Sequence, residues 1–244
     1  MIELFKTILY EPLLNLLVVF YNYIPGHDLG IAIIALTVVI KLVLFPFSQK
    51  GIKAQKALQD IQPKLEVIKK KYAHDKEKQT QAIMNFYKEN KVNPFSSCLP
   101  LLIQLPILIA VFQVFRIGLT ESNLPIYSFI FNPGALDVIG FGFLKLAEPN
   151  IFLAVLTAFS QYWQTKMLSS TQAPKKFTKG NGGAKDENMM SMMNKQMKFM
   201  MPLITLFIGM TLPSGLMLYW LVSLLISVLE QKIIFSRSAQ SPQN

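Results

Sequence analysis

Charge is scarce in this chain. Only 16% of its 244 residues are Asp, Glu, Lys or Arg, against about 25% in soluble domains. With 52% hydrophobic residues and a mean hydropathy of +0.37, the composition is of the membrane class. A single cysteine, Cys98, excludes an intramolecular disulfide framework. It heads an apolar run and reads as a small buried residue. Two histidines, His27 and His74, fall in loops by pattern and are too few for a histidine-based metal site. The chain has no Walker-type phosphate loop, no His-Glu-x-x-His and no paired cysteines. These absences disfavour an ATPase or an intramembrane protease. The acidic residues, 14 in all, read as lying outside the apolar runs, whereas a proton-coupled transporter usually buries Asp or Glu as a relay. No catalytic residue, cofactor or metal is expected, and the chain is not read as an enzyme. The first ten residues have neither the basic n-region nor the small-residue cleavage site of a secretory signal peptide.

What is present is a series of long apolar runs. Five are long enough to span a bilayer, at about 17–25 residues each: 29–47, 98–118, 151–168, 195–212 and 215–235. Pro213-Ser214-Gly215 marks a tight turn between the last two, which are therefore expected to pair as an antiparallel hairpin. Residues 119–150 form the loop between the second and third spans. Residues 236–244 form a short tail. Leu13 to Ile24 is apolar but short and follows Glu11-Pro12. Residues 1–28 are expected to lie along the outer interface as an amphipathic segment, with a sixth span as the alternative.

The basic residues set an orientation. Eleven lysines lie between Ser48 and Ser97, seven between Lys166 and Lys198, and Lys232 and Arg237 follow the last span. In a five-span arrangement, 20 of the 24 basic residues share one side, facing only Lys6, Arg116 and Lys145 on the other. By the positive-inside rule, the long loops and the C-terminus are cytoplasmic and the N-terminus is outside. The asymmetry accounts for the net charge of +10 without a nucleic-acid partner. Within 48–97, Ala54, Leu58, Ile61, Leu65 and Ile68 make one apolar stripe at helical spacing. Ala82, Ile83, Phe86 and Tyr87 make a second beyond Tyr72-Ala73-His74-Asp75. A cytoplasmic helical hairpin is expected, its lysines either solvated or in contact with anionic lipid, a ribosome or a nascent chain. Residues 169–194, with Pro174-Lys175-Lys176 and Gly180-Asn181-Gly182-Gly183, read as a basic linker. The fold class is all-α: five transmembrane helices, a cytoplasmic helical hairpin and an N-terminal interfacial helix.

Lys41 stands inside the first span. A charge at mid-membrane costs about 2.5–3.5 kcal/mol on insertion scales and by default marks a polar site. Snorkelling to the interface beyond Phe47 is the alternative. Thr37 lies four residues earlier, on the same helical face. Gln104 and Gln113 in the second span, Gln161 and Gln164 in the third, and Tyr219 and Trp220 in the fifth are further polar groups. They converge on a wet cavity or simply hydrogen-bond the helices together. Methionines cluster from Met189 to Met201, suiting either adaptable apolar binding or ordinary packing.

Three stretches resemble the bacterial YidC family of membrane protein insertases, related to the mitochondrial and chloroplast insertases. The first runs Val92-Asn93-Pro94, then Cys98-Leu99-Pro100-Leu101-Leu102-Ile103-Gln104-Leu105-Pro106. The second is Pro213-Ser214-Gly215-Leu216 with Leu218-Tyr219-Trp220, and the third is Thr37-x-x-x-Lys41 with Pro46 downstream. The resemblance, from about Glu11 to Phe235, implies a hydrophilic groove open to cytoplasm and lipid and closed outside. A positive residue there attracts the hydrophilic tail of a substrate, whose apolar segment slides into the bilayer without nucleotide hydrolysis. It implies Lys41, Thr37, Gln104, Gln161, Tyr219 and Trp220 as groove residues, with Gln161 and Trp220 near Lys41. The family usually has arginine where this chain has Lys41. The implied partners are nascent membrane proteins, the lipid bilayer, and in some modes the Sec translocon and the ribosome; the implied location is the bacterial inner membrane. A translocon-associated assembly chaperone and a small-solute transporter are the rival readings. The transporter predicts a path open to both sides and favours repeated halves, and no repeat is visible.

Overall fold

The computed structural model describes residues 2–93, 99–118, 124–169 and 199–240. The Pro94–Cys98 part of the motif, the 170–194 portion of the basic linker and Met189 to Met197 lie outside the described residues. The N-terminal segment is a helix throughout: α1 (Ile2–Phe5), a π-helical turn (Lys6–Tyr10) and α2 (Glu11–Tyr23). It packs against α3 (Leu29–Lys71) and α5 (Leu99–Gly118), with Leu14, Leu17 and Val18 fully buried. Residues 3–23 thus form a helix long and apolar enough to cross a membrane by length and composition. One face of this segment is built into the bundle.

The boundary drawn at residue 47 falls inside α3, which continues for 43 residues. At 1.5 Å per residue that is about 65 Å, roughly twice the hydrocarbon thickness. Pro46 and Pro63 lie within it. The lysines, glutamines, alanines and leucines that follow Ser48 are good helix formers, and no glycine pair or turn signal interrupts them. Asp28 caps its start, accepting a hydrogen bond from Ile31 N at 3.0 Å. After α3 the chain turns, and α4 (Lys76–Glu89) folds back along its far half. Leu58, Ile61 and Leu65 there form a small core with Ile83, Phe86 and Tyr87. Asp75 caps α4 through Lys78 N at 3.0 Å. That bond and the Lys78 side chain hold its carboxyl below the usual carboxylate range.

The remaining helices are α6 (Ile151–Ser169), α7 (Phe199–Gly209) and α8 (Ser214–Gln240). α8 is central, packing closely on both α3 and α6. Besides 3–23, two described helices are long and apolar enough to cross a membrane: Leu29–Lys71 and Ser214–Ser236. Leu102–Gly118 and Phe199–Gly209 are shorter apolar helices. The outward faces are apolar as well, with Leu42, Val43, Phe152, Phe159, Leu225 and Leu229 all exposed. Soluble monomers rarely present such continuous apolar surface.

One end of the bundle is closed by residues 124–150. A two-stranded antiparallel ribbon, β1 (Ile139–Gly140) and β2 (Leu144–Lys145), sits over the start of α3. Asp28 accepts from Phe141 N at 2.5 Å, Asn15 from Tyr127 N at 2.7 Å, and the Tyr21 hydroxyl from Asp137 N at 3.0 Å. Ser214 and Gly215, at the start of α8, donate to the carbonyls of Glu148 and Leu146, each at 2.9 Å. Leu124, Leu136, Leu144 and Leu146 are buried beneath these bonds.

The packing of α7 against α6 and α8 depends on a glycine. A Cβ at Gly209 would lie 2.7 Å from Met217 Cε, 2.8 Å from Ala154 Cβ and 3.2 Å from Ala154 Cα. The methionine end can move, but the α6 backbone cannot. Gly209→Val is therefore expected to destabilise the bundle by about 1–3 kcal/mol, outweighing the few tenths gained in helix propensity. A lowered thermal unfolding midpoint in detergent would register this; an unchanged midpoint would contradict it.

Candidate functional site

The α8 sequence places a polar residue on one face at nearly every turn: Tyr219, Ser223, Ser227 and Glu230, at spacings of four, four and three. Leu225, Leu229 and Ile233 occupy another face and are exposed. The helix therefore turns its polar stripe inward and its leucines outward. This is the arrangement a helix adopts when the surrounding solvent is lipid.

Each member of the stripe has a partner. Gln104 of α5 donates to the Tyr219 hydroxyl at 2.9 Å. The Ser227 hydroxyl donates to the Ser223 carbonyl at 3.0 Å and accepts from Lys41 Nζ at 2.6 Å. Three residues on, the Glu230 carboxylate accepts from the Ser48 hydroxyl at 2.5 Å. Lys41 and Ser48 are seven apart on α3, hence on one face. The stripe covers about 17 Å along the helix axis at 1.5 Å per residue, beginning beneath the closed end and running away from it.

The residues singled out from sequence separate into groups. Tyr219 lies on this stripe, and Lys41 of α3 and Gln104 of α5 are bonded to it. Thr37 is fully buried, and its hydroxyl is engaged by the Ile33 carbonyl of its own helix at 2.7 Å. Sharing a face with Lys41 did not make it a partner. Gln161 is bonded to Thr205 of α7. Trp220 is half-buried and packs on the main apolar core. The ammonium of Lys41 is thus held by Ser227, and neither Gln161 nor Trp220 takes its hydrogen bond. Gln113 and Gln164 are half-buried.

Sequence reasoning missed Ser227, Ser48 and Glu230. Acidic residues were expected only outside the apolar runs. Yet Glu230 is 6% exposed, and its carboxylate lies within electrostatic range of Lys41. Five residues before Phe235, it looked like an end charge. The available signal was its spacing from Ser227, Ser223 and Tyr219.

A second feature is apolar. α6 and α7 border an open groove of about 310 Å³, lined by Val155, Phe159, Tyr162, Phe199, Leu203 and Leu206 among others. Tyr162 and Phe199 stack at its side, ring centroids 5.8 Å apart. Among the described residues, no three His, Cys, Asp or Glu side chains group as a metal site.

An inward polar stripe within outward apolar helices defines a polytopic α-helical membrane protein with a polar site inside its bundle. Residues 19–241 match the family model described as 60Kd inner membrane protein. The chain belongs to that family. It is 36% identical over 214 residues to the membrane protein insertase YidC of Fusobacterium nucleatum subsp. nucleatum, covering 87% of this chain and 88% of that one. With the membrane protein insertase YidC of Pelobacter propionicus it shares 31% identity over 230 residues, 93% of this chain but 38% of the relative. A crystal structure of an active YidC insertase with its first transmembrane domain resolved matches with a TM-score of 0.59 and 27% identity. That match covers 90% of this chain and 45% of the solved one. The chain thus spans less than half the length of these last two.

The Gln104–Tyr219 bond joins α5 to α8 and can be measured. In membranes such bonds average about 0.6 kcal/mol by double-mutant cycle. A cycle of Gln104→Ala and Tyr219→Phe, followed by unfolding in detergent, is expected to give a coupling of about that size. Strict additivity would mean that the two side chains act independently.

Proposed function

We propose that this chain is a membrane protein insertase and chaperone that receives the polar tail of a nascent protein at Lys41 while the attached apolar segment enters the lipid. The reading is supported chiefly by the lengthwise asymmetry of the bundle. Residues 124–150 cover one end, with their own Leu136, Leu144 and Leu146 buried against the bundle, while the α8 polar stripe runs from there toward Lys41 and Glu230. A polar path closed at one end shortens the low-dielectric distance a hydrophilic tail must cross without opening a channel. Substrate hydrophobicity and the membrane potential, about 2.3 kcal/mol per charge per 100 mV, supply the drive.

In this reading the closed end faces outward, and the lysine-rich end faces the cytoplasm of the inner membrane with the C-terminus. Five helices span, namely the first half of α3 with α5, α6, α7 and α8; α1–α2 borders them on the outer side. The far half of α3 with α4 stands off as a cytoplasmic hairpin, and its lysines offer a contact for the ribosome or the Sec translocon. The α6–α7 groove is a greasy surface for the apolar segment of a substrate.

The test uses liposomes holding only this protein and a single-span test protein with a short acidic N-terminal tail. Wild type and Lys41→Arg are expected to protect the tail from protease. Lys41→Gln is expected to lose about tenfold or more, the equivalent of a charged hydrogen bond worth about 1.5–3 kcal/mol. Equal insertion by Lys41→Gln and wild type would remove the charge from the mechanism. No insertion above empty liposomes would remove autonomous insertion.

A further inference from the structure

The cluster at the far end of the polar stripe holds both signs of charge. Lys41 and Ser48 share one face of α3, and Ser227 and Glu230 share one face of α8. The ammonium is bonded to Ser227 at 2.6 Å and the carboxylate to Ser48 at 2.5 Å. Each charge is therefore clasped by a serine of the opposite helix. Neither is saturated by that bond: an ammonium has three donors, and a carboxylate about four acceptor sites. Gln231, the residue after Glu230, is 3% exposed, and its Oε1 has no hydrogen-bond partner among the described residues. A half-buried cluster with spare donors and acceptors on both charges can take up another partner.

We propose that Glu230 is a resident counter-anion for Lys41, competing with the carboxylates of an incoming segment and so setting how acidic that segment must be. This rests on Lys41 being the receiving group for the tail. With the tail absent, Glu230 balances the ammonium through the Coulomb field across the cluster, and Ser48 holds it back from closing a direct pair. An acidic tail displaces that balance by offering a carboxylate with freer geometry. A neutral tail offers nothing in exchange. The preference for acidic over neutral tails is thus the difference between two carboxylates, one supplied by the substrate and one by α8.

Two substitutions move this preference in opposite directions, which a merely structural role would not. Glu230→Gln removes the competitor at nearly constant shape. Ser48→Ala keeps the carboxylate but releases it toward Lys41. The measurement uses the full chain in vesicles of phosphatidylethanolamine and phosphatidylglycerol, with two single-span test proteins differing only in whether the tail carries acids or their amides. The readout is the ratio of protease-protected acidic tail to protected neutral tail. Glu230→Gln is expected to raise that ratio on the order of fivefold, the low end of typical coupling between sites. Ser48→Ala is expected to lower it below wild type. If both variants leave the ratio unchanged, move it in the same direction, or reduce both substrates alike, the inference is overturned. Lys41→Gln separates this failure from that of the underlying reading. A ratio collapsed by Lys41→Gln but indifferent to Glu230→Gln refutes the counter-anion alone. A ratio that survives Lys41→Gln removes Lys41 as receiver, and the counter-anion with it.

Discussion

Polar side chains in the middle of this bundle have only one another and their own helix carbonyls to bond, and that constraint organises the structure around α8. In lipid an unpaired hydroxyl or charge costs several kcal/mol, so the stripe Tyr219–Ser223–Ser227–Glu230 has to face protein. Facing protein means facing α3 and α5, because those helices carry Lys41, Ser48 and Gln104. The register between α3 and α8 follows. A slide of one turn, about 5.4 Å, would break the Lys41–Ser227 and Ser48–Glu230 bonds together. Hydrocarbon packing alone tolerates such slides, since leucine exchanges for leucine along a helix. The polar pairs make one register unique.

The same logic explains why the two ends differ. Near the start of α8 the backbone itself is tied down, with Ser214 and Gly215 bonded to the carbonyls of Glu148 and Leu146. The side chains beneath, Leu136, Leu144 and Leu146, are apolar and fully packed. Further along, bonds pass from backbone to side chain and charge appears. Side-chain bonds to hydroxyls exchange partners more readily than a backbone ladder. Backbone bonds therefore tie the covered end, and side-chain bonds carry the charged one.

Much of this was legible in the sequence, though unevenly. Apolar runs predicted the helical bundle because length and hydropathy are direct physical requirements of spanning. Lys41 stood out because a charge inside such a run is expensive wherever it points. Its partner did not, because serine is unremarkable in an apolar helix, and Ser227 matters only through a crossing that links residues 186 positions apart. Thr37 misled for the opposite reason: spacing put it beside Lys41, but a threonine in a helix satisfies itself on the carbonyl four residues back. Glu230 was overlooked because distance to the end of a run was taken as exposure. Long helices hide such errors, as α3 does by running on past Pro46 to Lys71.

The choice of lysine over the arginine usual in the YidC family fits this particular cluster. A guanidinium presents a planar fork that suits two parallel acceptors, whereas an ammonium is a point charge with rotatable donors. Ser227 offers Lys41 a single hydroxyl oxygen, and the nearby carboxylate is held by Ser48. A fork in this place would bond one acceptor well and strain for a second. Placed directly on Glu230, it would form a buried bidentate pair, and breaking such a pair by losing one partner costs about 3–5 kcal/mol. Either residue would keep a positive charge in the bundle; in this chain the ammonium is held by Ser227 of α8 and the nearby carboxylate by Ser48 of α3, each a single bond to a hydroxyl.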